Sequence, residues 1–287
     1  MKKSIKIILI VMLSLILVVG VSLGLYFALR DKNDFRNPNT DKRKNLGVWW
    51  WNDELGSDYL DFAKNQGVTE IYYCSSEFGE NTNNFIAEAN KREMRVYWLA
   101  GEYSWIEYNK NLFTKIESYQ KYQKEYENKF SGIHLDIEPH QNPAFESKRE
   151  ELLTEFVKLT YTLKDNYPEI WIEYDLPFWL DDDVTLLGKT KRAYEHIIDN
   201  ANRVTLMSYR DTAEAIFNVS KDEIEYAKLV GKILNLGVET KSSEGDNVSF
   251  QEEGKSVMYS EIEKLRNKIP SNFGVSIHQI ATWKDLI

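Results

Sequence analysis

Short apolar runs alternate with amphipathic helical patterns along most of the chain. A short apolar run predicts a buried strand, and apolar residues spaced three and four apart predict a helix that packs one face on a sheet. The predicted strands are 46–51, 69–74, 94–99, 131–140, 170–175, 203–209, 233–238 and 273–278. The predicted helices are 57–65, 84–92, 112–129, 150–167, 190–198, 222–230 and 257–269, and the tail 281–287 is too short for a full final helix.

This alternation predicts an α/β fold, namely a (β/α)8 TIM-type barrel over residues 45–287. Parallel neighbouring strands need a crossover between them, and eight such units close a barrel, usually within about 250 residues. A doubly wound open sheet is the alternative, but that fold usually has a Gly-rich phosphate turn after its first strand. Here Trp50 and Trp51 lead directly into Asn52 and Asp53.

Residues 1–30 carry a different pattern, a basic start followed by an apolar run over 7–29. About 20 apolar residues are enough to span a bilayer as one helix. Lysines ahead of the run favour a cytoplasmic N-terminus, so we predict a single-pass transmembrane signal anchor in the cell membrane with the barrel on the extracytoplasmic side. A cleaved signal peptide is the alternative, although the run is long for one. Residues 31–44 are polar and charged, as is typical of a linker.

Charge and cysteine content narrow the possible classes of protein. The 287 residues carry a net charge of -9 with a pI near 5.2, which argues against a nucleic-acid partner because phosphate binding favours a basic surface. The single cysteine, Cys74, excludes an internal disulfide framework and a Cys-based zinc site. The 8 Trp and 17 Tyr are numerous, and such rings either fill a core or stack on sugars in a cleft.

The fourth predicted strand carries an unusual pattern. Alternate residues of a strand share a face, so His134, Asp136, Glu138 and the nearby His140 lie on one side and the intervening aliphatic residues on the other. Buried charges are costly unless they are paired. The pattern is therefore typical of a barrel strand that packs outward on helices and directs carboxyl groups toward a cavity, and it predicts the active site.

Polar and aromatic residues at the other strand ends suit a carbohydrate cleft. In a (β/α)8 barrel the catalytic groups lie where the strands run into the following loops. Carboxyl groups there can transfer protons, and aromatic rings can stack on the substrate. The candidates for substrate contact are Trp50, Trp51, Trp98, Glu102, Asp175, Arg210, Asp211, His278 and Trp283.

Residues 131–138 resemble the fourth-strand signature of the family 18 glycoside hydrolases, the chitinase-like barrels. That signature is Asp-x-x-Asp-x-Asp-x-Glu, often with Gly second, and it is matched by Gly132, Asp136 and Glu138. Ser131 and His134 stand where the family has its first two Asp residues.

Two further matches lie later in the chain. The Met-Ser-Tyr segment at 207–209 is similar to the family's Met-x-Tyr-Asp, although Arg210 precedes Asp211 here. Trp283 follows the last predicted strand, where the family often has a tryptophan on the floor of its site.

The resemblance implies hydrolysis of a glycan, with N-acetylhexosamine-containing glycans as the candidate substrates, without a cofactor or a metal ion. In that chemistry Glu138 is the general acid that protonates the leaving oxygen, and Asp136 orients the substrate's N-acetyl group, whose carbonyl is the nucleophile. Tyr209 hydrogen-bonds the acetamide, and His134 could pair with Asp136 and hold it ionised. We therefore predict a membrane-anchored glycoside hydrolase that acts on a cell-wall or extracellular glycan.

A different glycosidase mechanism stays open. Glu138-Pro139 on the fourth strand, with Glu239 on the seventh, also resembles the large retaining clan of barrel glycosidases. There the acid/base ends strand four and a nucleophilic Glu ends strand seven, with the two carboxyl groups about 5–5.5 Å apart. Ile137 departs from that clan, which usually has Asn before the first Glu.

Two alternatives outside the glycosidases also stay open. The row of His134, Asp136, Glu138 and His140, with His278 as a further donor, could share a metal ion in a metal-dependent amidase or deacetylase. The two missing Asp residues also allow a barrel that binds oligosaccharide without catalysis.

Overall fold

The structure, a computed structural model, describes residues 44–242 and 245–287. Eight parallel strands form a closed barrel, in which each barrel strand pairs with the next one along the chain and the last pairs back onto the first. The barrel strands are β1 (Leu46–Trp50), β2 (Glu70–Tyr73), β3 (Arg95–Ala100), β4 (Gly132–Leu135), β5 (Ile172–Pro177), β8 (Arg203–Met207), β9 (Ile233–Glu239) and β10 (Gly274–His278). The sequence prediction of an eight-stranded α/β barrel is confirmed.

Helices cross between the barrel strands and cover the outside of the barrel. The helices of the described part of the chain are Ser57–Asn65, Glu80–Lys91, Lys110–Glu125, Phe145–Asn166, Ala193–Asn200, Ala213–Val219, Lys221–Val230, Lys255–Arg266 and Ile280–Asp285. The predicted helices all occur, with ends shifted by a few residues. Helix Ala213–Val219 was not predicted, and the tail forms the short helix Ile280–Asp285.

One antiparallel hairpin, also not predicted, interrupts the alternation after β5. It pairs β6 (Asp183–Leu186) with β7 (Lys189–Arg192). The predicted helix 190–198 therefore begins three residues later, at Ala193. The hairpin lies outside the barrel sheet, so the barrel closes through β5 and β8.

The two faces of each barrel strand have different surroundings. On β4 the aliphatic residues predicted to face outward, Ile133, Leu135 and the following Ile137, are fully buried in the main apolar core between sheet and helices. The inward residues of β1, β2 and β3 include aromatic rings, and Trp49, Tyr72 and Tyr97 form a separate cluster inside the barrel.

A buried ionic network fills the end of the barrel opposite the candidate cleft. The Glu70 carboxylate on β2 accepts hydrogen bonds from Arg95 at 3.0 Å and from Arg203 at 3.0 Å, and Arg203 also lies 2.7 Å from the Glu173 carboxylate. Burial raises the pKa of Glu70, but the guanidinium groups of Arg203 and Arg95 outweigh it and bring the pKa to about 2. Interiors of such barrels are usually dominated by branched apolar residues, so this interior is unusually polar.

The predicted signal anchor at 1–30 and nearly all of the predicted linker at 31–44 lie outside the described residues. Within the described ranges, no helix combines the length and the apolar character needed to cross a membrane.

Candidate active site

A cleft of about 370 Å³ opens where the barrel strands run into their following loops. This is the end of the barrel at which catalytic groups gather in this fold. Its lining includes Trp49, Trp51, Gly101, Glu102, Tyr103, Asp136, Glu138, Gln141, Met207, Tyr209 and His278. The cleft therefore brings together both carboxyl groups of the fourth-strand motif, the predicted tyrosine and two tryptophans.

Glu138 lies just beyond the end of β4, at the start of the short 3-10 turn Pro139–Gln141. That turn places two partners on its carboxylate: the His140 Nε2 at 2.9 Å from Oε2, and the Gln141 Nε2, which donates to Oε1 at 2.7 Å. The Glu138 side chain is 19% exposed, so a substrate in the cleft can reach it. Its position suits a group that exchanges a proton with a bound ligand.

Asp136 lies deeper in the same cleft. Its Oδ1 is buried and has no hydrogen-bond partner among the described residues. Burial and the nearby carboxyl groups of Asp175 and Glu138 raise the pKa of Asp136 well above its usual range. Burial and these charges therefore favour the protonated form of Asp136, which can donate a hydrogen bond to a substrate oxygen.

The backbone around Asp136 depends on a glycine on the neighbouring strand. Gly101 follows β3, and a Cβ added there would lie 1.7 Å from the carbonyl oxygen of Asp136. The backbones of the β3 and β4 ends therefore approach more closely than any side chain allows. This close approach sets the position of Asp136 in the cleft.

His134 does not pair with Asp136 as the sequence suggested. It points into the barrel, where its Nδ1 lies 2.7 Å from Glu173 Oε1 and its Nε2 lies 2.8 Å from Asp175 Oδ2. The ring also stacks on Tyr72 at a centroid distance of 3.7 Å. Burial lowers the pKa of His134, but the carboxyl groups of Asp175 and Glu173 outweigh it and raise the pKa to about 9. His134 is therefore an imidazolium held between two acids.

Asp175, a predicted substrate contact, is fully buried beneath the cleft. Its Oδ2 accepts a hydrogen bond from the Trp49 indole N–H at 2.8 Å and also contacts His134. Burial raises the pKa of Asp175, while the contact with His134 opposes that rise. Asp175 therefore affects the cleft from beneath it. It accepts a hydrogen bond from Trp49, contacts His134, and its carboxyl group raises the pKa of Asp136.

Tyr209 follows β8 and brings its ring to the cleft beside His278, at a centroid distance of 5.9 Å. Burial, together with the carboxyl groups of Glu239, Asp175, Asp136 and Glu138, raises the pKa of Tyr209 well above its usual range. The phenol therefore stays neutral and can donate its proton in a hydrogen bond to a substrate oxygen.

Glu239, the last residue of β9, has both carboxylate oxygens engaged. Its Oε1 accepts from the backbone N–H groups of Thr240 and Lys241 at 2.7 Å each, and its Oε2 lies 2.9 Å from His278 Nδ1. The Trp51 indole N–H donates to His278 Nε2 at 3.0 Å, so Nδ1 carries the imidazole proton and donates it to Glu239. Glu239 thus orients His278, which orients Trp51, and Glu239 itself is not among the cleft-lining residues.

Three of the tryptophans that were predicted to contact the substrate lie in the apolar core and do not reach the cleft. Trp50 alternates with the inward residues Trp49 and Trp51, so its side chain packs outward on Phe85 with ring centroids 5.2 Å apart. Trp98 alternates in the same way on β3 and is buried on the outer side. Trp283 is buried in the final short helix, with its ring 5.2 Å from that of Phe62.

Arg210 and Asp211 also lie away from the cleft lining. The Arg210 guanidinium sits 4.8 Å from the centroid of the Phe178 ring and donates to the Tyr209 carbonyl oxygen. Asp211 is buried. Of the predicted substrate contacts, the cleft therefore contains Trp51, Glu102 and His278.

Sequence reasoning missed several cleft residues, above all Trp49, Tyr103, Gln141 and Met207. The signal for Trp49 was present, because it lies two residues before Trp51 and therefore on the same strand face. Tyr103 and Gln141 belong to short 3-10 turns in loops, for which periodicity gives no signal.

The four residues of the proposed metal row do not form one ligand set. His134 contacts Glu173 and Asp175 inside the barrel, whereas His140 contacts Glu138 at the rim. Across residues 44–242 and 245–287, no group of three or more His, Cys, Asp or Glu side chains is arranged to hold a metal ion.

Comparison with known proteins gives no match to a protein-family model and none to a curated protein. Solved structures do match: a GH18 chitinase from Pseudoalteromonas aurantia superposes with a TM-score of 0.55 at 12% identity, over 83% of this chain and 94% of that chain. The C-terminal domain of ChiA from Legionella pneumophila gives a TM-score of 0.50 at 11% identity, over 84% and 94%. The structural neighbours are thus family 18 chitinases and chitinase-like TIM barrels, and at these identities the likeness concerns the fold.

Proposed function

We propose that the chain is a glycoside hydrolase that acts on a cell-wall or extracellular glycan containing N-acetylhexosamine. The observation that carries the proposal is the meeting of Asp136, Glu138 and Tyr209 in one cleft at the C-terminal end of the barrel, beside Trp49 and Trp51. The fold shared with a chitinase supports it, and so does the family 18 motif on β4.

The proposed reaction uses the substrate's own acetamide as nucleophile. Glu138 gives its proton to the glycosidic oxygen while the bond from that oxygen to the anomeric carbon breaks. The acetamide carbonyl oxygen forms the new bond to the anomeric carbon, while Asp136 accepts a hydrogen bond from the acetamide N–H and so orients the group, and Tyr209 also hydrogen-bonds the acetamide. Water then attacks the anomeric carbon, Glu138 takes the water's proton, and the acetamide is released. This is the substrate-assisted exception to the two-carboxylate scheme.

The contacts of Glu239 favour this route over the retaining-clan alternative. A nucleophilic carboxylate must face the anomeric carbon, and Glu239 is not among the residues that line the cleft. Both Glu239 oxygens already accept hydrogen bonds, from two backbone N–H groups and from His278. We therefore assign Glu239 to positioning His278 and Trp51.

The decisive experiment compares three full-length proteins on a panel of N-acetylated and non-acetylated glycans. We expect the unmodified protein to hydrolyse only the N-acetylated ones. Glu138→Gln should lower kcat by about 10²–10⁴-fold, the usual contribution of a general acid. The matched control Glu146→Gln makes the same change at an exposed helical position and should leave kcat unchanged.

Each other outcome has a definite meaning. Hydrolysis of non-acetylated glycans would contradict the acetamide nucleophile. Full activity of Glu138→Gln would remove Glu138 from the mechanism. Tight binding of glycans without turnover by the unmodified protein would favour a binding barrel without catalysis.

We also propose that residues 1–30 anchor the protein in the cell membrane with the barrel outside. The basic start and the apolar run at 7–29 support this placement. Protease added to intact cells should then cleave the barrel, and full protection of the barrel in intact cells would contradict the proposal.

A further inference from the structure

His140 lies at the edge of the cleft, in the 3-10 turn Pro139–Gln141 that follows β4. It is not among the cleft-lining residues, yet its Nε2 lies 2.9 Å from Glu138 Oε2. We infer that His140 is a positioning residue for Glu138, and that side chains outside the cleft hold the imidazole in place. The inference rests on the proposed function, since it explains how the general acid of that reaction is kept in position.

The turn supplies both partners of the Glu138 carboxylate from adjacent positions. Pro139 is its first residue, where the fixed φ of proline suits a helical turn. The Gln141 backbone N–H donates to the Glu138 carbonyl oxygen at 3.1 Å, and the Gln141 side chain donates to Oε1 at 2.7 Å. A glutamate side chain rotates about several bonds, so a contact at each of its two oxygens restricts the directions it can take.

The His140 ring is held by aromatic packing. Its Nδ1 is buried and has no hydrogen-bond partner among the described residues, so the polar contact of the ring is the one that Nε2 makes with Glu138. The ring lies edge-on to the half-buried Trp179 ring, with the two centroids 5.1 Å apart and an interplanar angle of 77°. An edge-to-face pair restrains the plane of the imidazole, and with it the direction in which Nε2 points.

Trp179 lies in the loop between β5 and β6 and is itself held by an ion pair. The Arg149 guanidinium, on the helix that follows the turn, lies 5.4 Å from the centroid of the Trp179 ring. It donates two hydrogen bonds to Asp182, from Nε to Oδ1 at 2.9 Å and from Nη2 to Oδ2 at 2.7 Å. A two-point contact of this kind fixes the orientation of the guanidinium plane. The series of contacts continues through the imidazole to Glu138.

The imidazole also faces the charge that Glu138 carries during the reaction. After Glu138 has given its proton to the leaving oxygen, it is a carboxylate near the Asp136 carboxyl group and the Tyr209 phenol. Like charges in one cleft repel, and an imidazole can carry a compensating positive charge near neutral pH. At a distance of 2.9 Å the titrations of His140 and Glu138 should therefore be coupled.

The kinetic test uses full-length protein and N-acetylglucosamine oligosaccharides. His140→Ala should lower kcat at least tenfold and leave KM unchanged, because a misplaced acid slows the chemical step and His140 does not line the cleft. His140→Gln keeps an N–H donor of similar reach and should recover most of the lost kcat. Unchanged kcat in His140→Ala, or an equal loss in His140→Gln, would overturn the inference.

A second pair of variants tests the contacts outside the cleft. Asp182→Asn removes the charge that pairs with Arg149 and should lower kcat by about threefold or more with KM unchanged. The matched control Asp183→Asn makes the same change at the next residue, whose 63% exposed carboxylate pairs with Arg192, and should leave kcat unchanged. Equal kcat in the two variants would remove these outer contacts from the support of the imidazole.

A measurement that needs no turnover separates this inference from the proposed function. The side-chain carboxyl carbon of Glu138, labelled with carbon-13 and assigned by its absence in Glu138→Gln, is followed by NMR over about pH 5–8, where imidazoles titrate. We expect a step in its chemical shift that is absent in His140→Gln, whereas any step caused by Asp136 persists in both proteins.

Identical titration curves in the two proteins would overturn the inference, whether or not the protein hydrolyses glycans. A step that depends on His140, in a protein that hydrolyses no glycan, would overturn the hydrolase proposal and leave the coupling of His140 to Glu138 standing.

Discussion

His134 is a single residue whose surroundings reverse the usual behaviour of a buried imidazole. Burial alone favours the neutral ring, yet the ring lies between Glu173 and Asp175 and holds a proton with a pKa of about 9. The folded protein binds that proton more tightly than the unfolded chain, in which the pKa is near 6.5. The stabilising contribution is therefore complete below about pH 6.5 and is lost as the pH rises through about 9.

The substitution His134→Gln should lower the free energy of unfolding by about 3–5 kcal/mol at pH 6, because it removes the cation beside the buried Asp175 and one of the two cations beside Glu173. The difference between the two proteins should shrink as the pH rises toward 9, where the unmodified protein also loses its proton. Urea unfolding at several pH values measures both effects. Parallel pH profiles for the two proteins would show that His134 carries no such proton.

At the scale of single residues, the sequence predicted which carboxyl and phenol groups line the cleft better than which tryptophans do. Asp136, Glu138 and Tyr209 were identified because the motif fixes both their identity and their strand face. The prediction that Trp50 contacts the substrate was wrong. Trp50 stands in a run of three tryptophans, where composition does not show which ring faces inward. The partners of His134 lie on a different strand, so no local pattern could identify Glu173 or Asp175.

Among the strands and helices, the close approach of the ends of β3 and β4 depends on a single residue, Gly101. Gly101→Ala would place a methyl group 1.7 Å from the Asp136 carbonyl oxygen, so the two strand ends must separate. We expect kcat to fall by at least tenfold, since Asp136 and Glu138 both follow this backbone. The melting temperature should fall as well.

Gly56→Ala is the matched control for this prediction. A Cβ at Gly56 meets only the flexible Asp58 side chain, at 3.0 Å, and its φ of -72° suits alanine. Equal activity in the two alanine variants would mean that the β3–β4 approach does not set the position of Asp136.

The elements of the barrel were predictable because each strand is apolar and each helix is periodic. The hairpin of β6 and β7 was not, because its turn residues are Leu187 and Gly188, with φ of 52° and 75°. Two positive φ values mark the turn type that usually carries Asn-Gly, and leucine hides that signal. Its strands are also mostly polar, so neither period 2 nor an apolar run identified them.

For the whole molecule, the network around Glu70 joins four of the eight barrel strands. Glu70 on β2 contacts Arg95 on β3 and Arg203 on β8, and Arg203 contacts Glu173 on β5. The Glu70–Arg203 contact joins strands on opposite sides of the barrel, so it forms only when the barrel has closed. Its loss should therefore destabilise the barrel as one unit.

The variant Glu70→Gln leaves two buried guanidinium groups without their shared carboxylate and should lower the free energy of unfolding by about 3–5 kcal/mol. Glu214→Gln makes the same change in the exposed ion pair with Lys268 and should have no measurable effect. Chemical denaturation at pH 7 compares them. A similar stability for both variants would mean that the buried network contributes no more than a surface pair.

The division between the inner and outer faces of the barrel strands also governs how this protein can change by mutation. The outward side chains pack against the helices, while the inward ones include the buried charges and the proposed catalytic groups. A mutation at an inward position therefore alters chemistry without altering how the helices pack. At residue 134 the inward histidine takes both of its acidic partners from β5, while its outward neighbours Ile133 and Leu135 pack in the apolar core. The outward positions therefore preserve the fold, and the inward positions determine the chemistry of the barrel interior.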